Sequence, residues 1–266
     1  MAFLTAPDGA RLHYAVEGDG QPLVLHLGAG CDSELWRAAG YLEPLATTYR
    51  CILFDHRGHG RSDRPRGAAA NHINRYVGDV VALLDHLGLA RAAFWGYSNG
   101  VSVGLKVAEE NPGRIGPLIG SGGVAKTTPE QIADIVARRV PEFREHGWTK
   151  LIARFDEREP DGVAEWMKER IRATDIQQFI DWLLAWPDWN WNEWESLPRV
   201  VAPTLLVAGE LEDPEDETGQ AAALMPNATR LRVAGQGHIN AFIKSPLVLP
   251  RVRAFLAEYV SSRVKA

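Results

Sequence analysis

A chain of 266 residues with 45% apolar and 24% charged content is ordinary for a globular protein, and is long enough for one large α/β domain or a domain carrying an insertion. The net charge of −5 argues against nucleic acid or an anionic membrane surface as a partner. Two cysteines, Cys31 and Cys51, suit a reducing, cytoplasmic setting and cannot form a zinc site by themselves. The N-terminal M-A-F-L-T-A-P-D-G has no basic region followed by a long apolar stretch, and no run reaches the ~18 apolar residues of a membrane span.

In chain order, Asp8-Gly9 is a hairpin turn signal, and Arg11 to Glu17 alternates as an antiparallel strand would. Leu23 to Leu27 and Arg50 to Phe54 are continuous apolar runs, read as buried strands. The first leads into a glycine loop, L-G-A-G-C-D-S-E-L-W (27 to 36), and the second into D-H-R-G-H-G-R-S-D (55 to 63). From Asn71 to Leu87 the residues Ile73, Tyr76, Val77, Val80, Leu84 and Leu87 fall three and four apart, which predicts a helix that Gly88 stops. Short strands follow at Ala92 to Trp95 and Pro117 to Ser121. The alternation then lapses for about 75 residues and resumes with strands at Thr204 to Ala208 and Thr229 to Val233 and a last helix from about Leu247 to Val260. This order predicts a mostly parallel central sheet with helices on both faces and an antiparallel opening hairpin at one edge.

The interruption, residues 124–198, differs in composition. It carries seven of the nine tryptophans: Trp148, Trp166, Trp182, Trp186, Trp189, Trp191 and Trp194. Helix starts such as Thr128-Pro129-Glu130, with few strand-like runs, predict a helical cap on a core made of 1–123 and 199–266. Bulky side chains can simply seat such a lid on its core. Several together near a reactive residue also suit an apolar substrate cavity.

The stretch F-W-G-Y-S-N-G-V-S-V-G (94 to 104) runs from a buried strand through a tight turn into a helix. Gly96, Ser98 and Gly100 give the G-x-S-x-G spacing of a nucleophile elbow. Without Cβ atoms at the two glycines, strand and helix approach closely and Ser98 Oγ is thrust out of the sheet. An activated serine needs a general base, and the base needs an acid to fix its tautomer. His238 follows the strand Thr229 to Val233, and Glu212 and Asp213 follow Thr204 to Ala208. All three groups thus sit at the carboxyl ends of predicted strands, where open α/β sheets place their sites. The backbone N–H groups of Asn99 and Ala29 are the candidate oxyanion donors. The two histidines of D-H-R-G-H-G-R-S suggest metal, but no third ligand stands at suitable spacing, and a hydrogen-bonded loop beside the site is preferred.

These pieces together resemble the α/β-hydrolase fold, and within it the capped serine esterases. The resemblance rests on L-G-A-G…W (27 to 36), D-H-R-G-H-G-R-S (55 to 62), G-Y-S-N-G (96 to 100), G-E-L-E-D-P (209 to 214) and G-H (237 to 238), in that order. The chain departs in two places. Leu27-Gly28 stands where the family has His-Gly, with His26 one position early, and the family's acid register after Gly209 is Glu212, with Asp213 next. The resemblance implies a serine hydrolase that cleaves a small to medium carboxylic ester with an apolar portion and needs no cofactor and no metal. Its nucleophile would be Ser98 and its base His238. Asp213 is preferred as the acid, because Asp213-Pro214 matches the family's usual Asp-Pro pair, and Glu212 is the alternative. The same triad could serve a lactone, an amide or a C–C bond, or the scaffold could bind a ligand without turnover. Epoxide hydrolases and haloalkane dehalogenases are disfavoured, since they carry Asp at the nucleophile position.

Overall fold

The computed structural model describes residues 2–261; residue 1 and residues 262–266, the ends of the predicted core segments, lie outside it. The chain opens with a hairpin, β1 (Ala2–Thr5) and β2 (Arg11–Glu17). There follow β3 (Gln21–His26), α1 (Leu35–Ala38), α2 (Leu42–Ala46), β4 (Tyr49–Phe54), α3 (Ile73–His86), β5 (Ala92–Tyr97), α4 (Asn99–Glu110) and β6 (Ile115–Ser121). Five helices come next: α5 (Pro129–His146), α6 (Thr149–Arg158), α7 (Glu165–Arg172), α8 (Ile176–Ala185) and α9 (Glu193–Ser196). The chain then returns to the sheet with β7 (Thr204–Gly209), α10 (Glu217–Leu224), β8 (Ala228–Val233), α11 (His238–Ile243) and α12 (Ser245–Ser261).

The eight strands lie in the order β1-β2-β4-β3-β5-β6-β7-β8. The pairs β1–β2 and β2–β4 are antiparallel and the rest parallel. Parallel strands are covered on both faces, so they appear in sequence as unbroken apolar runs. The period of two sorts neighbouring residues to opposite sides. Leu23, Leu25, Leu53, Trp95 and Leu205 pack with Trp36 and Leu42 of the first helices and with Val252 and Phe255 of α12. Val24, Ile52, Phe54, Phe94 and Leu206 face the other way, onto Tyr76, Val80 and Leu84 of α3 and Val101 and Leu105 of α4.

The helix expected over 71–87 begins two residues later. The His72 ring caps it by accepting from Asn74 N, and Gly88, at φ +65°, ends it. Asp79 on its inner face forms a buried bidentate pair with Arg57, Nε to Oδ2 at 2.7 Å and Nη2 to Oδ1 at 2.6 Å. Asp8 of the opening hairpin completes that cluster at 2.8 Å. This fastens the loop after β4 beneath the site. The described residues form no helix long and apolar enough to cross a membrane. Cys31 and Cys51 are both buried and unpaired.

Candidate active site

Ser98 occupies the tip of the turn between β5 and α4 at φ 55°, ψ −125°. This strained backbone costs on the order of 1–3 kcal/mol and persists only where its surroundings impose it. The surroundings here are two contacts that only glycine allows. A Cβ on Gly96 would lie 2.1 Å from Gly100 O, and one on Gly100 would lie 2.7 Å from His26 O. The Ser98 amide is tied to β6 through Ser121 O at 2.7 Å. The side chain is thereby left half-buried, facing a cavity.

His238 opens α11 beyond β8 and borders the same cavity. Its ring and the Ser98 backbone converge: a Cβ placed on Gly122 would lie 2.9 Å from His238 Cε1 and 3.0 Å from Ser98 N. His238 Nδ1 donates to Glu212 Oε2 at 2.5 Å. An ionised carboxylate only accepts, so the ring proton sits on Nδ1 and the Nε2 lone pair is free for a hydroxyl. Burial pulls the His238 pKa down, but the charge and hydrogen bond of Glu212, aided by Glu159, outweigh it and hold the pKa above the ordinary imidazole value. The ring stacks between Tyr97, centroids 5.1 Å apart, and Phe155, 5.7 Å apart.

The expectation that Asp213 faces the histidine is corrected. The Glu212 side chain folds back so that Oε1 accepts from Gly209 N at 2.7 Å, while Oε2 reaches His238. Asp213, one residue on, points to the other side of the loop and is buried. Its two oxygens accept from Glu217 N at 2.6 Å and Thr218 N at 3.0 Å, at the start of α10. The family register after Gly209 therefore holds, with no inserted residue. Nor is the acidic run 212–217 simply a solvated face, because its first two carboxylates are engaged in hydrogen bonds within the fold, Asp213 buried and Glu212 partly so.

Ala29 and Asn99 both border the cavity beside Ser98. Asn99 is the first residue of α4, so its N–H has no acceptor within the helix. The glycine loop carrying Ala29 is pinned at two points just beyond that residue. Gly30 N donates to His59 Nε2 at 3.0 Å, and Ser33 N to Asp55 Oδ1 at 2.8 Å. The D-H-R-G-H-G-R-S segment thus supports the glycine loop. His26 and His56 stack at 4.8 Å, and His56 and His59 lie 3.9 Å apart. Burial holds His26 and His59 down to about 4, so this stack is neutral at neutral pH. No grouping of three or more potential metal ligands occurs among the described residues.

The cavity has a volume of about 290 Å³. Its roof comes from the segment between β6 and β7, with Trp148, Phe155, Phe179, Trp182, Trp186 and Trp189 as the aromatic wall. The seven tryptophans divide by position. Four line the cavity. Trp191 donates to Glu109 on α4 at 2.7 Å and lies under Lys106, and Trp194 lies under Lys126. Trp166 is 38% exposed. One polar patch interrupts the apolar wall. Glu193 accepts weakly from Ser102 at 3.4 Å, and burial raises its carboxyl pKa to about 7. Ser102 is one helical turn beyond Ser98, a spacing visible in the sequence. The sequence gives no sign that Glu193 of α9 would meet it.

A mostly parallel sheet with a strained serine after an inner strand, and an acid–histidine pair after the last two strands, is the layout of a hydrolase fold. The profile of the alpha/beta hydrolase fold family matches residues 21–245, and the chain belongs to that family. It is 34% identical over 125 residues to a non-heme haloperoxidase of Rhodococcus erythropolis, covering 47% of this chain and 44% of that protein. It is 36% identical over 122 residues to a non-heme chloroperoxidase of Streptomyces lividans, covering 45% and 43%. The match thus spans less than half the length of these relatives. Among solved structures, a thermophilic esterase from Thermogutta terrifontis superposes with a TM-score of 0.85 at 22% identity, covering 97% of this chain and 98% of that one. The enol-lactonase of Burkholderia xenovorans LB400 gives 0.78 at 23%, covering 96% and 100%. At such identities the likeness is one of fold.

Proposed function

We propose that the protein is a serine hydrolase that cleaves a small to medium carboxylic ester with an apolar portion, through Ser98, His238 and Glu212. The observation that carries this is the 2.5 Å bond from His238 Nδ1 to Glu212, made where the ring shares a cavity with a serine in elbow geometry. In this reading His238 Nε2 takes the Ser98 proton as Oγ attacks the ester carbonyl. Glu212 stabilises the imidazolium that forms. The N–H groups of Ala29 and Asn99 bind the oxyanion, each contributing about 3 kcal/mol to the transition state. His238 then protonates the leaving alcohol, and a water deprotonated by the same nitrogen releases the acid from Ser98.

The aromatic roof supports an apolar portion, and a cavity of about 290 Å³ suits a substrate of modest size. Turnover of p-nitrophenyl esters of rising chain length, beside lactones and amides, tests the reading. Ser98→Ala should lower kcat by a factor on the order of 10⁴ to 10⁶ with the fold unchanged. Near-wild-type turnover by a folded Ser98→Ala protein would overturn it.

A further inference from the structure

Glu159 ends the helix α6, in the segment between β6 and β7, yet its carboxylate belongs to the histidine turn. It is 4% exposed. Oε2 accepts from Gly237 N at 2.8 Å, and Oε1 accepts from Ile239 N at 2.8 Å and Asn240 N at 3.1 Å. These are the backbone groups on either side of His238. Three backbone N–H donors thus converge on this one buried carboxylate. The fit is close. A Cβ on Gly237 would lie 2.7 Å from Glu159 Oε1. The same stretch of chain makes two further contacts. Phe155, one turn earlier on α6, lies nearly parallel to the His238 ring at 10°. Asn240 Nδ2 donates to Gly162 O at 3.1 Å.

We propose that α6 is a positioning element for the catalytic histidine, with Glu159 holding the His238 backbone and Phe155 its ring, so that the base is in register only when the inserted helices are seated on the sheet. The proposal rests on the role of His238 given above. A charge-assisted hydrogen bond to a backbone N–H is roughly twice as strong as a neutral one, and an error of ~1 Å in a catalytic group can cost ~10²-fold in rate. A carboxylate at this place acts on the base twice, through backbone geometry and through its field.

The charged and titratable groups around His238 are Glu212 beyond β7 and Tyr97 of β5, with Ser98 beside them, and Arg158, Asp213 and Glu217 border a neighbouring pocket on the side toward solvent. All are retained in Glu159→Gln, which removes one negative charge beside the imidazole. The test is the NMR titration of the His238 ring together with kcat and KM on a short p-nitrophenyl ester. Glu159→Gln should lower the His238 pKa, move the acid limb of kcat/KM to lower pH by the same amount, and reduce kcat at least ~10-fold with KM within about threefold. Phe155→Leu leaves the carboxylate in place, and should reduce kcat without moving the titration. If Glu159→Gln does not fold, Glu159→Asp serves: it keeps the charge but shortens the reach, and should lower kcat with the titration unchanged. A thermal midpoint that falls while kcat and the His238 titration stay at wild-type values would make Glu159 a simple staple and overturn the proposal. The titration reads the histidine turn without any turnover, so a protein inactive on every ester would defeat the hydrolase reading and leave this one tested.

Discussion

Glu212 and Asp213 are adjacent, equally charged and opposite in consequence. One reaches across to an imidazole, and the other caps a helix. Isosteric amides should separate them. Glu212→Gln leaves one acceptor oxygen for two donors, Gly209 N and His238 Nδ1, so with the oxygen kept on Gly209 the amide NH2 faces the ring, and kcat should fall on the order of 10⁴-fold, as expected when a triad tautomer is no longer held. Asp213→Asn should keep kcat within a fewfold and lower stability by about 1 kcal/mol, the ordinary cost of a weakened cap. Activity assays beside thermal melts of both variants check this, and the reverse pattern would restore Asp213 as the acid. The raised His238 pKa also has a sign. The base must be neutral to accept a proton, so kcat/KM should fall as pH drops through a value above 6.5, the ordinary imidazole figure. A pH–rate profile with its acid limb below 6 would contradict it.

Among the elements, the strands were readable in advance because a strand buried on both faces is an apolar run whatever its neighbours are. Leu23 to Leu27 and Thr204 to Ala208 each fall within one residue of the observed β3 end and β7. The short helices α1 and α2 were not foreseen, because four or five residues carry too little periodicity to register. The inserted helices are legible as helices through their caps, such as the Thr128–Gln131 capping box. Which side chains face the core is not legible, since that depends on how separate helices dock. The tryptophans show the consequence. Trp182→Ala or Trp186→Ala, in the cavity wall, should shift chain-length preference more than the rate on the shortest ester. Trp191→Ala breaks the bond to Glu109 and should cost stability with preference unchanged, and Trp166→Ala should do neither. Kinetics on an ester series with thermal midpoints would show a uniform loss of stability if all seven served packing alone.

At the scale of the whole molecule, the polar partners that complete the site come from far along the chain, and sequence spacing does not announce them. His238 could be singled out in the sequence because a histidine after a late strand fits the order of the fold. Glu159 was not, because in sequence it is one acid among several in E-R-E-P-D and gains its role only when α6 lands on the histidine turn. Glu193 likewise becomes notable only inside the cavity. Its folded pKa, about 7, lies above the unfolded carboxylate value, so the native state binds its proton more tightly. The associated stability is therefore fully present below about pH 4.5 and is lost as pH rises through about 7. Glu193→Gln should then raise the thermal midpoint at pH 8, by roughly 2–4 °C for each kcal/mol relieved, and change it little at pH 5. An equal shift at both pH values would remove ionisation as the cause.

Tyr97, beside the nucleophile, donates a hydrogen bond to His238, 141 residues further along the chain. A ribosome therefore makes the elbow long before the histidine and its acid. A chain halted after β6 carries the Ser98 turn but neither the Glu212 carboxylate nor the His238 imidazole. Since chains are made and begin to fold from the N-terminal end, the Ser98 turn meets the Glu212–His238 pair only when the strands numbered last join the sheet. The cavity between them is therefore completed only once α11, which follows β8, is in place.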